Sequence, residues 1–464
     1  MVEASSQGQF ASPPFDLDKK APQTGSSITI SSDGDGSHTI NNHNNEKFLE
    51  KNVDDYGGDL LAERPSQGGN ISAFFNIVCV VAGTGTLGLP YSLAKGGWIG
   101  VGILILSVIM SIYTGILIIK CIYYNGHTRL ASYQEIGQHA FGRIGLIAVW
   151  FFHTSIVLGA PVMYFILSGT EIQGLTQAHV NLSDKVWIWI CCGVVSIPFV
   201  LMKSLKEVSL LSIFGVIATV VLVVVTMVES GLDYKNHKDT VKYDGAILRN
   251  LPLTIATISV CFGGNVVYMH VEESMRYPRA WNKVLVWAMI ACCLMYSMVA
   301  IPGYLTYGPG AASPILTSLP DGPSNKVATI MIVAHVLLAA PVLMTSFALE
   351  VERVMDITVE KRGVFRERVY RTIIRLVIMG VVGGIACLVP FFDSFLSLLG
   401  ALGNCMLIYV LPIGFYWKLV GWRQMRWYEL VWCIIILIIG LLGCVIGSID
   451  AIEELYRDFT QGSS

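Results

Sequence analysis

The residues best suited to chemistry in this chain are 83–90, which read GTGTLGLP. Gly83, Gly85 and Gly88 have the spacing of the dinucleotide fingerprint, in which glycines let the backbone approach a pyrophosphate. That fingerprint also needs a preceding β-strand and a soluble βαβ unit. Here the glycines lie inside the apolar run 71–93, which is long enough to cross a bilayer. We therefore predict a transmembrane helix interrupted at mid-depth, with close helix packing as the alternative role of its glycines.

A second interruption, Gly263-Gly264-Asn265, lies in the apolar run 250–273, the sixth of the chain. Because the second run stands five spans after the first, and five is odd, the two broken helices are expected to run in opposite directions. An inverted repeat of helices predicts this arrangement and places the substrate site near the membrane midplane, where the breaks meet. The second interruption therefore favours a transport site over a packing role.

The ligand that such breaks suit can be inferred from their backbone groups. Unwound segments leave N–H and C=O groups unpaired, which is tolerated in a membrane only beside a cavity or a ligand. The half-helices that begin after each break present N–H groups, which suit a carboxylate. Those that end at Val81-Ala82 and Cys261-Phe262 present carbonyls, which suit an ammonium. Neither run contains Lys or Arg, so the pocket fits a zwitterion, of which amino acids are the simplest.

The elements that must position these breaks are eleven membrane spans. Of the 464 residues, 53% are hydrophobic and only 14% are charged, a composition typical of a polytopic membrane protein. The net charge of −2 argues against bulk attraction to nucleic acid. The predicted spans are 71–93, 98–120, 145–168, 186–202, 207–228, 250–273, 283–307, 326–350, 372–391, 394–417 and 429–449.

Residues outside the spans predict the topology. Basic residues collect on the side of the N-terminus, which places the N-terminus in the cytoplasm and the C-terminus on the luminal or extracellular face. Polar residues 1–66 are predicted to be a disordered cytoplasmic tail, 67–454 the transporter domain and 455–464 a short C-terminal tail. The cysteines form no CxxC pattern and lie in or beside apolar spans, so no disulfide framework and no metal site are expected.

Three ionisable side chains are candidates for proton coupling or gating, because charges at membrane depth are usually functional. Glu272 and Glu273 end the sixth span near its cytoplasmic edge, where they handle protons, form a solvated gate, or pair with Lys283 or Arg276. His335 lies in the middle of the eighth span, where an imidazole either titrates near neutral pH or simply packs.

Several separated motifs carry a resemblance to a known family. GTGTLGLPYSLAKGGW, residues 83–98, resembles the first-helix signature of the amino acid/auxin permease family, which includes vesicular inhibitory amino acid transporters and fungal vacuolar amino acid transporters. Residues 198–209 look like the family's link between spans four and five, and Glu272-x-x-Met275-x-x-Pro278 resembles the motif after its sixth-span break. The resemblance covers residues 70 to about 450. It implies the fold of the bacterial leucine transporter, with ten helices in two inverted halves and an eleventh helix added.

The resemblance also implies proton- or sodium-coupled movement of amino acids. Sodium-coupled relatives place an Asn shortly before the Gly-x-Gly, where this chain has Cys79, a poor ligand for a hard cation. This difference favours a proton gradient over sodium, although backbone carbonyls also hold sodium. Tyr268 is a candidate for the pocket wall. The implied substrate contacts are Gly83, Thr84, Gly85, Thr86 and Gly88, with Gly263, Gly264 and Asn265 opposite.

The leading hypothesis from the sequence is a proton-coupled secondary transporter of amino acids, neutral ones foremost, that works by alternating access in the lipid bilayer. A sodium-coupled symporter of the same fold is one alternative, and an amino acid-sensing receptor that signals through the N-terminal tail is another. No nucleophile–base set is visible at membrane depth, so an enzyme is not expected. The polar tail and the family's endomembrane branch favour a vacuole or similar organelle, with the plasma membrane as the alternative.

Overall fold

The computed structural model describes residues 61–65, 67–202, 209–357, 363–389 and 391–461. Over these ranges the chain is helical, and its one β-type pairing is an isolated bridge between Gly68 and Met275. Apart from 61–65, the tail predicted over 1–66 lies outside the described residues.

The helices follow one another with short connections. The tenth span is continuous from α12 through π-helical turns at Gly400–Val410 into α13. The labelled helices are α1 Asn70–Val81, α2 Leu89–Gly96, α3 Ile99–Ile122, α4 Tyr133–Thr176, α5 Asp184–Leu201, α6 Ser209–His237, α7 Leu251–Val260, α8 Asn265–Glu273, α9 Trp281–Tyr307, α10 Pro323–Val354, α11 Val364–Leu388, α12 Phe392–Leu399, α13 Leu411–Tyr416 and α14 Trp427–Gln461.

The number of membrane spans agrees with the sequence. Among the described residues, ten helical segments are long and apolar enough to cross a bilayer, and α1 with the bent segment Thr84–Gly96 makes an eleventh. Large apolar side chains such as Ile144 and Trp287 lie exposed on the outside of the bundle, as expected for a surface that faces lipid. The predicted all-helical class with eleven spans is therefore confirmed. The last helix, α14, continues to Gln461, through most of the segment predicted as a C-terminal tail.

The first span is broken where the glycines stand. Gly83 leaves the helix with φ −109° and ψ −148°, and Thr84–Gly88 form a 3₁₀ turn. Pro90 then lies in the first turn of α2. Its missing N–H costs nothing there, because N–H groups in the first turn of a helix have no acceptor within that helix. The two parts of the span meet at a bend of 43°.

The sixth span is interrupted between α7 and α8 by the turn Cys261–Gly264. In this turn the amide N–H of Gly264 donates to the carbonyl of Phe262 at 2.8 Å, and that of Val267 donates to the carbonyl of Gly264 at 3.0 Å. These short-range bonds replace the regular helical ladder, so the backbone changes course within one turn.

The first break lies at the boundary of two hydrophobic clusters. Leu89 packs in the cluster that contains Tyr268 and Tyr296. Leu87, two residues earlier, packs in the cluster that contains Phe165 and Phe392. The helices before and after the break therefore pack in one cluster, while Leu87, inside the break, packs in the other.

Candidate functional site

The structure brings the two breaks into direct contact. A Cβ atom added to Gly85 would lie 3.0 Å from Sγ and 3.1 Å from Cα of Cys261. Since part of that contact is with backbone, no side chain fits at Gly85 without displacing the second break. All residues from Thr84 to Pro90 are buried, so the breaks are closed off from solvent in this conformation.

A tyrosine hydroxyl joins the carbonyl ends of the two breaks. Oη of Tyr296, in α9, lies 2.5 Å from the carbonyl oxygen of Val81 and 2.6 Å from that of Cys261. The Tyr296 ring packs edge-on against Phe262 with centroids 5.4 Å apart. Thr219 of α6 donates to the neighbouring carbonyl of Ala82 at 2.9 Å. These are the carbonyl ends at which the sequence analysis expected an ammonium.

Tyr296 and Thr219 were missed by the sequence analysis. The signal available was weak, because a hydroxyl in an apolar span often bonds within its own helix or glues neighbouring helices together. Only the three-dimensional path of the chain shows that these two side chains reach the break carbonyls.

The predicted contact residues on the second break lie against the tenth span. Asn265 is fully buried, and its Nδ2 donates to the carbonyl of Ile408 at 3.3 Å, while its Oδ1 has no hydrogen-bond partner among the described residues. A Cβ at Gly263 would lie 3.2 Å from Oδ1 of Asn404, a second buried amide oxygen without a partner there. Thr86, in the first break, likewise has a buried hydroxyl without a partner in the described chain.

Tyr268 is placed differently from the other candidates. Its ring fills the space left by two glycines, since a Cβ would lie 2.4 Å from the ring at Gly264 and 2.9 Å from it at Gly115. The hydroxyl makes a weak contact with Sδ of Met289 at 3.6 Å, and the ring packs edge-on against Trp281. Tyr268 therefore contributes packing between α3, α8 and α9.

His335 lies beside the first half-helix. A Cβ at Gly215 in α6 would lie 2.7 Å from Nδ1 of His335 and 3.0 Å from Sγ of Cys79. The imidazole and the thiol therefore meet over the same glycine. This places His335 next to α1, one turn before the first break, and largely out of contact with solvent.

At the end of the bundle where α1 begins, which we call the inner end, a buried carboxylate is fully paired. Glu272 Oε1 lies 3.3 Å from Nη2 of Arg64 and accepts from Tyr123 at 2.6 Å, and its Oε2 lies 3.0 Å from Nε of Arg129. Glu273 is more distant, at 3.6 Å from Nη1 of Arg129, and is mostly exposed. The sequence alternative that Glu272 pairs with Lys283 or Arg276 is wrong.

Backbone bonds reinforce the same contact. The N–H of Arg276 donates to the carbonyl of Gly68 at 2.7 Å, and the N–H of Gly68 donates to the carbonyl of Ser274 at 3.0 Å. Although burial by itself lowers the pKa of Arg129, the neighbouring Glu272 and Glu273 raise it above the ordinary value, so the guanidinium stays charged. The segment before α1 is thereby attached to the end of α8.

At the opposite end, the outer end, the last helix holds the second half of the first span. Oε1 of Glu454 in α14 lies 2.6 Å from Nζ of Lys95 and accepts from the Tyr91 hydroxyl at 2.6 Å. Ser394, at the start of α12, donates to Asp458 on the next turn of α14. The break between the two ends is thus closed on both sides.

Comparison with known proteins identifies relatives of this chain. The family model described as "Transmembrane amino acid transporter protein" matches residues 66–453. Amino acid transporter AVT1C of Arabidopsis thaliana is 29% identical over 84% of this chain and 70% of its own length. AVT1J of the same plant is 27% identical over 89% of this chain and 98% of its own length. The family resemblance drawn from the motifs is therefore confirmed.

A solved structure of similar fold is the Eremococcus coleocola manganese transporter in complex with an aromatic bis-isothiourea substituted compound. It aligns with a TM-score of 0.53 at 11% identity and covers 86% of this chain and 91% of that chain. The likeness concerns the fold alone, and it confirms the predicted leucine-transporter-like class.

Proposed function

Because this chain belongs to the transmembrane amino acid transporter protein family, we propose that it carries neutral amino acids across a membrane by alternating access, coupled to protons. Membership of a transporter family also confirms the expectation that the chain is not an enzyme. The observation that carries the proposal is the contact between the two breaks, where buried backbone groups of Gly85 and Cys261 meet.

Substrate recognition follows from the direction of the half-helices. The N–H groups at Gly83–Gly88 and at Gly263–Asn265 begin half-helices and suit the substrate carboxylate, since a helix N-terminus carries a partial positive charge. The carbonyls of Val81 and Cys261 end half-helices and suit the ammonium. In this scheme backbone groups bind the part that all amino acids share.

The buried polar atoms near the second break support the same placement. The amide oxygens of Asn265 and Asn404 and the hydroxyl of Thr86 are buried without a partner among the described residues. An unpaired buried polar group is costly, so such groups are expected to gain a partner in some state of the cycle. A bound zwitterion or water would supply donors and acceptors to them.

The side chains that lie beside α1, the first half-helix, support the proposal of proton coupling. Cys79 stands where sodium-coupled relatives have an oxygen ligand, and His335 meets Cys79 over Gly215. An imidazole beside this half-helix can bind and release a proton, which backbone carbonyls cannot. Glu272 and Glu273 would act at the inner end as a gate, with Glu272 held by arginines.

Alternating access would use the boundary between the two hydrophobic clusters. Leu87 and Leu89 flank this boundary, so rocking one cluster against the other would open the break to one side at a time. We place the transporter in a vacuole or another endomembrane, with the N-terminus in the cytoplasm and the C-terminus in the lumen. The plasma membrane remains the alternative location.

The test is uptake by purified protein in proteoliposomes. Labelled leucine, tyrosine, glutamine and alanine are supplied with an imposed pH gradient, first in sodium and then in choline. Uptake that needs the pH gradient and is unchanged in choline is expected. Loss of transport in choline would overturn proton coupling in favour of sodium, and no uptake of any amino acid would overturn the proposed substrate class.

The site itself is tested by Gly85→Leu. The new side chain must displace Cys261, so we expect uptake to fall by at least about a hundredfold, while expression and insertion are retained. Gly102→Leu is the matched control, because Gly102 is an exposed helical glycine with no atom within 4 Å of an added Cβ. Wild-type uptake by Gly85→Leu would remove the breaks from the substrate site.

A further inference from the structure

Tyr296 makes a contact that one hydrogen atom cannot fully satisfy. Its Oη lies within 2.6 Å of two carbonyl oxygens, those of Val81 and Cys261. A phenol carries one O–H hydrogen, whereas each carbonyl oxygen needs a donor once it is buried. The hydroxyl therefore either shares its hydrogen between the two carbonyls or serves them alternately.

The position of Oη is also the position that the proposed function gives to the substrate ammonium. A nitrogen bonded to both carbonyls would lie about 2.8 Å from each, which is close to where Oη now stands. An ammonium brings three N–H donors and can satisfy both carbonyls at once. The hydroxyl and the ammonium therefore compete for one place between the breaks.

We propose that Tyr296 stands in for the substrate ammonium when the transporter carries no amino acid. The inference rests on the proposed function, since it requires that an ammonium binds at these carbonyls. In the unloaded protein the hydroxyl holds α1 and the second break together. Without it, the carbonyl of Val81 would keep the N–H of Gly83, at 2.9 Å, and both break carbonyls would lose the bond that joins them. When an amino acid arrives, the ammonium takes over the carbonyls and the phenol withdraws.

This role has a kinetic consequence. A transporter that has released its substrate must change conformation without it before another net cycle begins. Keeping these two carbonyls buried during that step without the hydrogen bond of the hydroxyl is costly. Tyr296 removes this cost, so it is a positioning residue for the return of the unloaded protein, while the loaded protein does not need its hydroxyl.

Two transport modes separate these steps in the full-length protein. Net uptake into empty proteoliposomes requires return of the unloaded protein. Exchange, with the same amino acid on both sides, requires only movements of the loaded protein. The probe is whichever of leucine, tyrosine, glutamine and alanine gives the highest wild-type uptake, so a failure of the proposed function is detected before any variant is measured.

Tyr296→Phe removes the hydroxyl and keeps the ring that packs on Phe262. We expect net uptake to fall by about tenfold or more while exchange stays within about twofold of wild type, because only the unloaded step loses a hydrogen bond. Tyr304→Phe is the matched control: Tyr304 lies on the same helix and is equally buried, and both modes should be unchanged.

Tyr296→Gln provides a second variant, since its amide carries two N–H donors for the two carbonyls. We expect Tyr296→Gln to have higher net uptake than Tyr296→Phe. If the Phe variant does not fold, the Gln variant alone is expected to keep the wild-type ratio of net uptake to exchange. Equal loss of both modes in either variant would show a merely structural or substrate-contacting role and overturn the proposal. Unchanged net uptake in Tyr296→Phe would overturn it as well.

Discussion

The inner and outer ends of the bundle are each closed by a buried carboxylate, but the two carboxylates differ in the number of their basic partners. At the inner end one buried carboxylate, Glu272, is held by two arginines, Arg64 and Arg129. At the outer end one amine, Lys95, holds the carboxylate of Glu454. The inner contact is buried and has several partners, whereas Lys95 remains 34% exposed at its side chain.

The two ends share one feature, which is that each uses an element outside the two five-helix halves. Arg64 precedes α1, and Glu454 belongs to α14, the eleventh span. Arg64 holds the end of α8, in the broken sixth span. Glu454 holds α2, the second half of the broken first span. The inverted repeat thus supplies the proposed site, and the added segments close its two sides.

The largest effect that would break this comparison is expected from Glu272→Ala. Both arginines would lose a partner in a site where Arg129 has only 14% of its side chain exposed. Removing one partner of a buried ion pair costs about 3–5 kcal/mol, and here this loss would destabilise the conformation that is closed at the inner end. We expect the half-buried Cys79 to be alkylated faster from the inner side, and uptake to be lower. Mass spectrometry measures the alkylation.

Glu273→Ala is the matched control for this change. Its carboxylate is 59% exposed and lies 3.6 Å from Arg129, so its removal should alter Cys79 alkylation little. Equal labelling of the two variants would contradict the assignment of Glu272 as the inner closure.

An intermediate effect is expected at the outer end from Glu454→Gln. The amide keeps the size of the side chain but loses the charge that holds Lys95, and this site is more hydrated than the inner one. A lost charged hydrogen bond of this kind is worth about 2 kcal/mol. We expect a lower melting temperature of the purified protein but a smaller change in uptake than for Glu272→Ala.

The neighbouring Glu453 is exposed and serves as the control, since Glu453→Gln should leave the melting temperature unchanged. A larger loss of uptake in Glu454→Gln than in Glu272→Ala would reverse the comparison and make the outer end the stronger closure.

The same contrast explains what the sequence could and could not predict. The eleven spans follow from apolar runs, because the bilayer sets their length, and the breaks follow from glycines at matching positions. The contact of Gly85 with Cys261 is a consequence of the inverted repeat. The partners of Glu272 did not follow, because Arg64 lies more than 200 residues away in a segment predicted as tail.

Tyr296 could not be predicted for a related reason. Nothing in the seventh span marks one tyrosine over its neighbours, and its role depends on where two other helices end. Periodicity places a side chain on a helix face, but it does not say which broken helix lies opposite. Long-range contacts of single polar groups are therefore where the sequence analysis was incomplete.

The smallest effect is expected from Tyr123→Phe, which sharpens the account of the inner end. The change removes the hydroxyl, which donates to Glu272 at 2.6 Å and accepts a longer bond from Nη2 of Arg64 at 3.1 Å, and it leaves both arginines beside Glu272. A hydrogen bond contributes about 1 kcal/mol, so Cys79 alkylation should rise only a few-fold. Tyr124→Phe is the control, because its hydroxyl bonds His139 instead. If Tyr123→Phe opened the inner end as far as Glu272→Ala does, the tyrosine and not the paired charges would be the main closure, and the contrast between the two ends would no longer rest on ion pairing.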